Sequence, residues 1–191
     1  YELTFIAPEE YAKGALEGLD LVIMPGGGAT RQYKAIGDDG AAALKRFVRE
    51  GGQYYGVCAG AFLAMQQSIE GFSRLDMVPF KDDDPAYYRG DAPVKIALTD
   101  DGVKALETTN TAHTVIYFGG PAAIPGDPIA DTDVTVLARY ESRLVNTRQP
   151  KPVAELAGKG AILGGRVGKG KVFLSCPHPE KQEQTMDLVR K

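Results

Sequence analysis

Tyr54-Tyr55-Gly56-Val57-Cys58-Ala59-Gly60-Ala61-Phe62-Leu63-Ala64 is the stretch on which the reading of this chain turns. It starts as a short apolar strand, passes through one cysteine and continues in small residues suited to a helix start. Gly56 and Gly60 stand two residues either side of Cys58, the spacing of a nucleophile elbow with sulfur as the nucleophile. An elbow turns strand into helix so sharply that the nucleophile takes a strained backbone conformation and only residues without bulk fit beside it. It also puts the sulfur at a helix N-terminus, where the dipole and free N–H groups favour thiolate over thiol. The competing reading is a buried structural cysteine between packing glycines, and a lone motif does not choose between them.

Val172-Phe173-Leu174-Ser175-Cys176-Pro177-His178-Pro179-Glu180 breaks the tie. It is a strand running straight into a His-x-Glu, in a chain with only two histidines. A thiol nucleophile, an imidazole base and a carboxylate to orient it follow the general logic of a catalytic triad. A third suspicious strand end precedes the elbow: Leu19 to Met24 is a continuous apolar run ending in Pro25-Gly26-Gly27-Gly28, whose bare backbone N–H groups can approach a ligand closely.

The surrounding pattern alternates strand and helix. Glu2 to Ile6 reads as a strand and Pro8 as a first-turn residue of a short helix. Asp38 or Asp39 is expected to cap a helix with Leu44, Phe47 and Val48 on one face, stopped by Gly51-Gly52. The elbow strand follows, then a helix to about Ile69. This order implies a parallel sheet with right-handed crossovers. Beyond it, Phe72 to Met77 is expected to be extended. Strands are expected at Val94 to Leu98, His113 to Phe118 and Val134 to Tyr140, with Asp100 or Asp101 capping a short helix. Ala161 to Val167 and Lys171 to Cys176 form an expected antiparallel hairpin across Gly168-Lys169-Gly170. Lys181 to Arg190 reads as a terminal helix.

Bulk properties bound the function. The 191 residues make one domain, 43% hydrophobic and 25% charged, as in a water-soluble globular protein. A net charge of −3 gives no reason to expect nucleic acid or an anionic membrane as partner. No apolar run is long enough to span a bilayer and none resembles a signal peptide. Two cysteines make no disulfide scaffold, so a cytoplasmic location is expected; the chain starts at Tyr1 rather than Met, and a leader ahead of it stays open. Asp82-Asp83-Asp84 reads as a solvated turn without metal-ligand spacing, and Gly164 to Lys171 fails phosphate-loop spacing. His113 reads as a core or edge-strand residue, and Tyr87-Tyr88-Arg89 as a candidate pocket mouth. Cys176 reads as packing at its strand end; because it and Cys58 end strands expected to be neighbours, a redox-sensitive pair is the competing hypothesis.

Gly56-x-Cys58-x-Gly60, the Pro-Gly-Gly loop and the late His178-Pro179-Glu180 resemble class I glutamine amidotransferases. More closely, they resemble the amidotransferase-like domain at the N-terminus of fungal biotin–protein ligases and in stand-alone bacterial proteins. The resemblance covers nearly the whole of residues 1–191 as a single domain. It implies an α/β, flavodoxin-like three-layer sandwich with a mostly parallel central sheet and an antiparallel hairpin near the C-terminus. It implies Cys58 as nucleophile, His178 as the base and later acid, and Glu180 as its orienter, acting through a thioester with no cofactor or metal. Backbone N–H groups of Gly26, Gly27, Gly28 and Ala59 would form the oxyanion hole.

The expected substrate is a small-molecule or peptide amide, with a partner domain or chain allowed for. Three departures stand beside this. Phe62 occupies the position, four past the cysteine, where glutaminases carry glutamine. No synthetase or biotin-ligase catalytic segment lies within these residues, so biotin transfer is not implied. The family's first strand and helix, ahead of Glu2 to Ile6, are not found. Two alternatives remain: a binding or regulatory module that has lost turnover, and a peptidase of the dipeptidase E and cyanophycinase type, whose serine elbow continues Ala-Gly-Ala as Ala59-Gly60-Ala61 does here.

Overall fold

The computed structural model describes residues 2–66, 71, 73–83, 90–145, 152–182, 185 and 188. Strand β1 (Leu21–Met24) pairs in parallel with β2 (Gln53–Val57), setting Met24 beside Gly56. The crossover between them is α1 (Ala29–Glu50), which lays Leu44 and Val48, both fully buried, against the sheet. Gly28 caps α1, and Gly37 (φ 68°, ψ 178°) kinks it. Gly37 is non-helical, so α1 is two helical segments across a kink: the second opens at the expected Asp38, and the first, 29–36, is an addition the sequence reading does not foresee. Asp38 accepts a hydrogen bond from the Tyr33 hydroxyl at 2.9 Å instead of capping. Gly51, at φ 133°, ends the helix as its sequence requires.

After β2 comes the short α2 (Ala59–Ala64), which stops five residues before the expected end near Ile69: Met65 is extended (φ −72°, ψ 171°) and Gln66 bridges Lys81. The chain continues through β3 (Phe80–Asp82), β4 (Asp91–Leu98), α3 (Asp100–Ala105), β5 (Ala112–Phe118), β6 (Ala123–Pro125) and β7 (Thr132–Tyr140). A two-stranded ribbon, β8 (Leu144–Val145) with β9 (Pro152–Ala154), precedes the hairpin of β10 (Gly160–Val167) and β11 (Gly170–Ser175). The cap of α3 is Thr99, whose hydroxyl accepts from the Gly102 N–H at 3.1 Å, rather than either aspartate. The hairpin forms as expected, with Gly168 at φ 59° in its turn.

The main sheet has nine strands, seven of them in the order β1-β2-β11-β10-β7-β4-β5. Among the described residues only the β1–β2 and β2–β11 ladders are parallel; the other ladders are antiparallel. This corrects the expectation of a mostly parallel sheet. The chain leaves its βαβ pattern after β2, and the later strands join by hairpins and meanders that need no crossover. The fold is α/β with a mixed sheet and few helices.

Glu2 to Ile6 forms no strand, which corrects the second expectation. It makes no ladder with β1, whose only partner is β2, and leaves Leu3 and Phe5 74% and 92% exposed. Residues 73–77, expected to be extended, join no ladder; the N–H groups of Leu75 and Met77 donate to the α2 carbonyls of Leu63 and Ala64. Asp82 is no solvated turn. It is buried and accepts from the Ala122 N–H at 2.8 Å, while Asp83 pairs with Lys159. The expected terminal helix and the Tyr87-Tyr88-Arg89 mouth fall largely or wholly outside the described residues. Among the described residues no helix is long and apolar enough to cross a membrane.

Candidate active site

Cys58 sits where β2 ends, at φ 51° and ψ −103°, a backbone conformation that a side chain adopts only under constraint. The constraint is visible on both sides. A Cβ on Gly60 would lie 2.0 Å from the Met24 carbonyl oxygen, and one on Gly56 would lie 2.7 Å from the Gly60 carbonyl carbon. Both glycines are thus required by close backbone approach between β1, β2 and α2. The fully buried Tyr54 locks the turn by donating to the Gly60 carbonyl at 2.7 Å. The strand-to-helix elbow inferred from the sequence is present.

His178 is brought to this point by β11 and seated by β5. β11 lies parallel to β2, and the Cys58 N–H donates to Ser175 O at 2.8 Å. Three residues on, the His178 N–H donates to Ile116 O at 2.7 Å. Its Nδ1 meets Glu180 Oε1 at 2.6 Å, and the Phe118 ring stands edge-on to the imidazole at 6.4 Å between centroids. His178 is only 6% exposed, and its Nε2 has no hydrogen-bond partner.

Gly26 shows how closely these parts meet. A Cβ there would lie 2.9 Å from His178 Cε1, 3.6 Å from His178 Nε2 and 3.6 Å from Cys58 Cβ. Gly26, Cys58, His178 and Glu180 therefore converge, as the sequence reading requires. Ala59 follows the sulfur as the first residue of α2. Gly27, at φ 138°, has open space where a Cβ would be, and Gly28 abuts the Arg31 guanidinium at 3.0 Å from its virtual Cβ. Those two glycines have neither Cys58 nor His178 among their neighbours at that range.

The thiol is at rest. Cys58 Sγ donates to the Phe118 carbonyl at 3.7 Å, and no hydrogen bond is formed at His178 Nε2. Burial works to lower the imidazole pKa, but Cys58 and Glu180 together outweigh it and raise it to about 9. Burial likewise works to raise the Glu180 carboxyl, and its hydrogen bond to His178 overrides this and holds it low. Tyr55 is raised by burial first and by the Glu180 charge second.

Sequence reasoning missed Phe118 and Ile116, which act through backbone carbonyls, and Lys181, whose ammonium lies 4.6 Å over the Phe118 ring. The available signal was Phe118-Gly119-Gly120-Pro121, a glycine pair at a strand end like the one at Gly26. Phe62 is covered by the Arg74 guanidinium at 4.3 Å, whose pKa burial lowers to about 10.

The elbow, the mixed sheet and the histidine–carboxylate strand end belong to one α/β domain. Its fold is shared with a GMP synthase subunit protein of Thermoplasma acidophilum (TM-score 0.56, 15% identity, 96% of this chain and 75% of that one). It is shared also with PurLQS of Thermotoga maritima (TM-score 0.56, 16% identity, 91% and 78%). The chain belongs to the family described as biotin–protein ligase, N terminal, which it matches over residues 15–73 and 86–191. It is 26% identical over 190 residues to a biotin–protein ligase of Schizosaccharomyces pombe, and 39% identical over 182 residues to an uncharacterized protein of Chlamydia muridarum. The matches take in 90% and 86% of this chain but 27% and 61% of those relatives, so it spans only part of their length.

Proposed function

We propose that this domain is a cysteine-dependent amide hydrolase, or an amidotransferase-like relative of one, using Cys58, His178 and Glu180. His178 Nε2 holds the proton that Cys58 gives up, and the Cys58 sulfur attacks the amide carbonyl. The N–H groups of Gly26 and Ala59, with those of Gly27 and Gly28 as the loop adjusts, stabilise the oxyanion. His178 returns the proton to the leaving nitrogen, and water releases the acyl group from the thioester. Glu180 holds the imidazole tautomer and supports its charge. The substrate is a small-molecule or peptide amide.

The supporting observation is the common neighbourhood of Gly26, His178 and Cys58, with a buried Nε2 that has no other partner. The test is site-resolved alkylation with iodoacetamide. Cys58 is expected to label at least about tenfold faster than Cys176, and His178→Asn to remove most of that advantage. Equal, slow labelling at both cysteines, unchanged by His178→Asn, would refute the reading. Ammonia or amine release from a panel of amides, abolished by Cys58→Ala, then identifies turnover.

One observation favours a second reading, a binding or regulatory module without turnover. Cys58 is 5% exposed and its thiol is capped by Phe118 O, while Phe62 with Arg74 stands where a glutaminase carries glutamine. Fast labelling of Cys58 without hydrolysis of any amide in the panel would select it.

A further inference from the structure

Cys58 has a neighbour that the acyl chemistry does not use. The β2–β11 ladder pairs Val57 with Ser175, and the Cys58 N–H continues it by donating to Ser175 O at 2.8 Å. One step further along both strands are Cys58 and Cys176. Adjacent strands run about 4.8 Å apart, inside the ~4.4–6.8 Å Cα separation that a disulfide spans.

The strands that lead into the two residues present matching faces. Tyr55 and Phe173, partners in register, stack on one side of the sheet with ring centroids 5.6 Å apart. Tyr54 and Gly56 alternate to the other side, and so do Val172 and Leu174; Cys58 and Cys176 follow directly where these two strands end, Cys58 with its backbone turned to φ 51°. Both cysteines are buried free thiols. The same loop closes over both: Phe118 O accepts from Cys58 Sγ, and a Cβ on Gly120 would lie 1.9 Å from Cys176 O. The electrostatics agree, since burial, then Asp82, then Cys58 hold the Cys176 thiol well above its ordinary range.

We propose that Cys58 and Cys176 form a reversible disulfide when the site meets hydrogen peroxide, an oxidation site within the candidate active site. The inference rests on the reading of Cys58 as a reactive thiol. In the first step the Cys58 thiolate attacks one peroxide oxygen and the O–O bond breaks. The sulfur is oxidised to sulfenic acid, and the departing hydroxide leaves as water with the proton that His178 holds. In the second step Cys176 sulfur attacks the Cys58 sulfur and the S–O bond breaks. Hydroxide takes the Cys176 proton and leaves as a second water. Two thiols and one peroxide thus give one disulfide and two waters.

The order of steps is fixed by the surroundings. Cys176 is wholly buried and held protonated, so it waits until Cys58 carries an electrophilic sulfur. The product removes the nucleophile from acyl transfer and shields it from irreversible oxidation.

The experiment treats the full chain with hydrogen peroxide at neutral pH, with and without dimedone, and maps both cysteines by peptide mass. Wild type is expected to lose both thiols together, to yield a Cys58–Cys176 linked peptide and to recover both thiols with dithiothreitol. Cys176→Ser is expected to hold Cys58 as a dimedone adduct and, without dimedone, to carry it on to sulfinic acid. Cys176→Ala repeats the arm, and thermal melting confirms that each variant is folded. Wild-type Cys58 found as the dimedone adduct or sulfinic acid beside a free Cys176 would overturn the proposal. So would fast iodoacetamide labelling of Cys58 with no peroxide-induced linkage, and that result leaves the amide-hydrolase reading standing. Slow reaction of Cys58 with both reagents would sink both.

Discussion

Gly26→Ala places one methyl group between the two reacting side chains. Gly26 is not among the glycines with positive φ, so its backbone accepts alanine and the effect is confined to contacts. The added carbon would lie 2.9 Å from His178 Cε1, against an ordinary contact of 3.4 Å or more, so something must give by 3.4 − 2.9 = 0.5 Å. The imidazole is pinned by the His178 N–H on Ile116 O, by Nδ1 on Glu180 and by the Phe118 ring, so it has little room to retreat. Whichever of the ring and the Gly26 loop gives, the position of the imidazole relative to the sulfur changes.

A displacement of about 1 Å costs on the order of 10²-fold in rate, so half of that costs about tenfold. Overpacking adds a stability loss of ~1–3 kcal/mol. Two readouts check this. Iodoacetamide labelling of Cys58 should slow by about that tenfold. The His178 Cε1 proton, followed by NMR against pH, should titrate below the wild-type value of about 9, because Cys58 is one of the causes that raise it. A folded variant with the wild-type labelling rate and an unmoved titration would refute the claimed proximity.

Two further outcomes follow from the same geometry. The folded-state pKa of His178 is raised from 6.5 to about 9, so its contribution to stability is full below pH 6.5 and is lost as pH rises through about 9. Urea unfolding of wild type and His178→Asn between those limits should show the two midpoints converging as pH rises, and a constant gap would contradict it. Gly60→Ala drives a Cβ to 2.0 Å from the Met24 carbonyl, which is backbone and cannot rotate aside. Its loss of stability in urea should reach or exceed the ~3 kcal/mol at the top of the usual overpacking range, and a loss under ~1 kcal/mol would mean the elbow is looser than described.

What the sequence discloses is whatever a local steric demand imposes on residue type. Gly56, Gly60 and Gly168 are legible because each sits where a Cβ would strike backbone: Gly60 C, Met24 O and Arg49 O, respectively. The proposed grouping of Cys58, His178 and Glu180 is legible because cysteine and histidine are rare in a chain with two of each. Glu2 to Ile6 misleads because a strand is defined by a partner, and an apolar alternation does not say whether one is there. The sheet's parallel character misleads because the order β11-β10-β7-β4-β5 is settled by non-local pairing. Asp82 misleads because three consecutive aspartates look solvated until a backbone N–H, here Ala122, supplies the partner that lets one be buried.

The departure from a mostly parallel sheet is also what assembles the site. The three parallel strands β1, β2 and β11 bring three carboxyl ends side by side, which supplies Gly26, Cys58 and the approach to His178. They do not fix the imidazole. That falls to β5, which lies beyond β10, β7 and β4 in the sheet order yet bonds the His178 N–H through Ile116 O. A strand four places away along the ladder reaches His178 only because the sheet curls back toward its own strand ends. The same curl carries Phe118, two residues after Ile116, to the sulfur and to the face of the imidazole. A sheet of the same order kept flat would leave β5 remote from β11, so the antiparallel half is part of the site's construction, and its twist bears on the distance between His178 and Cys58.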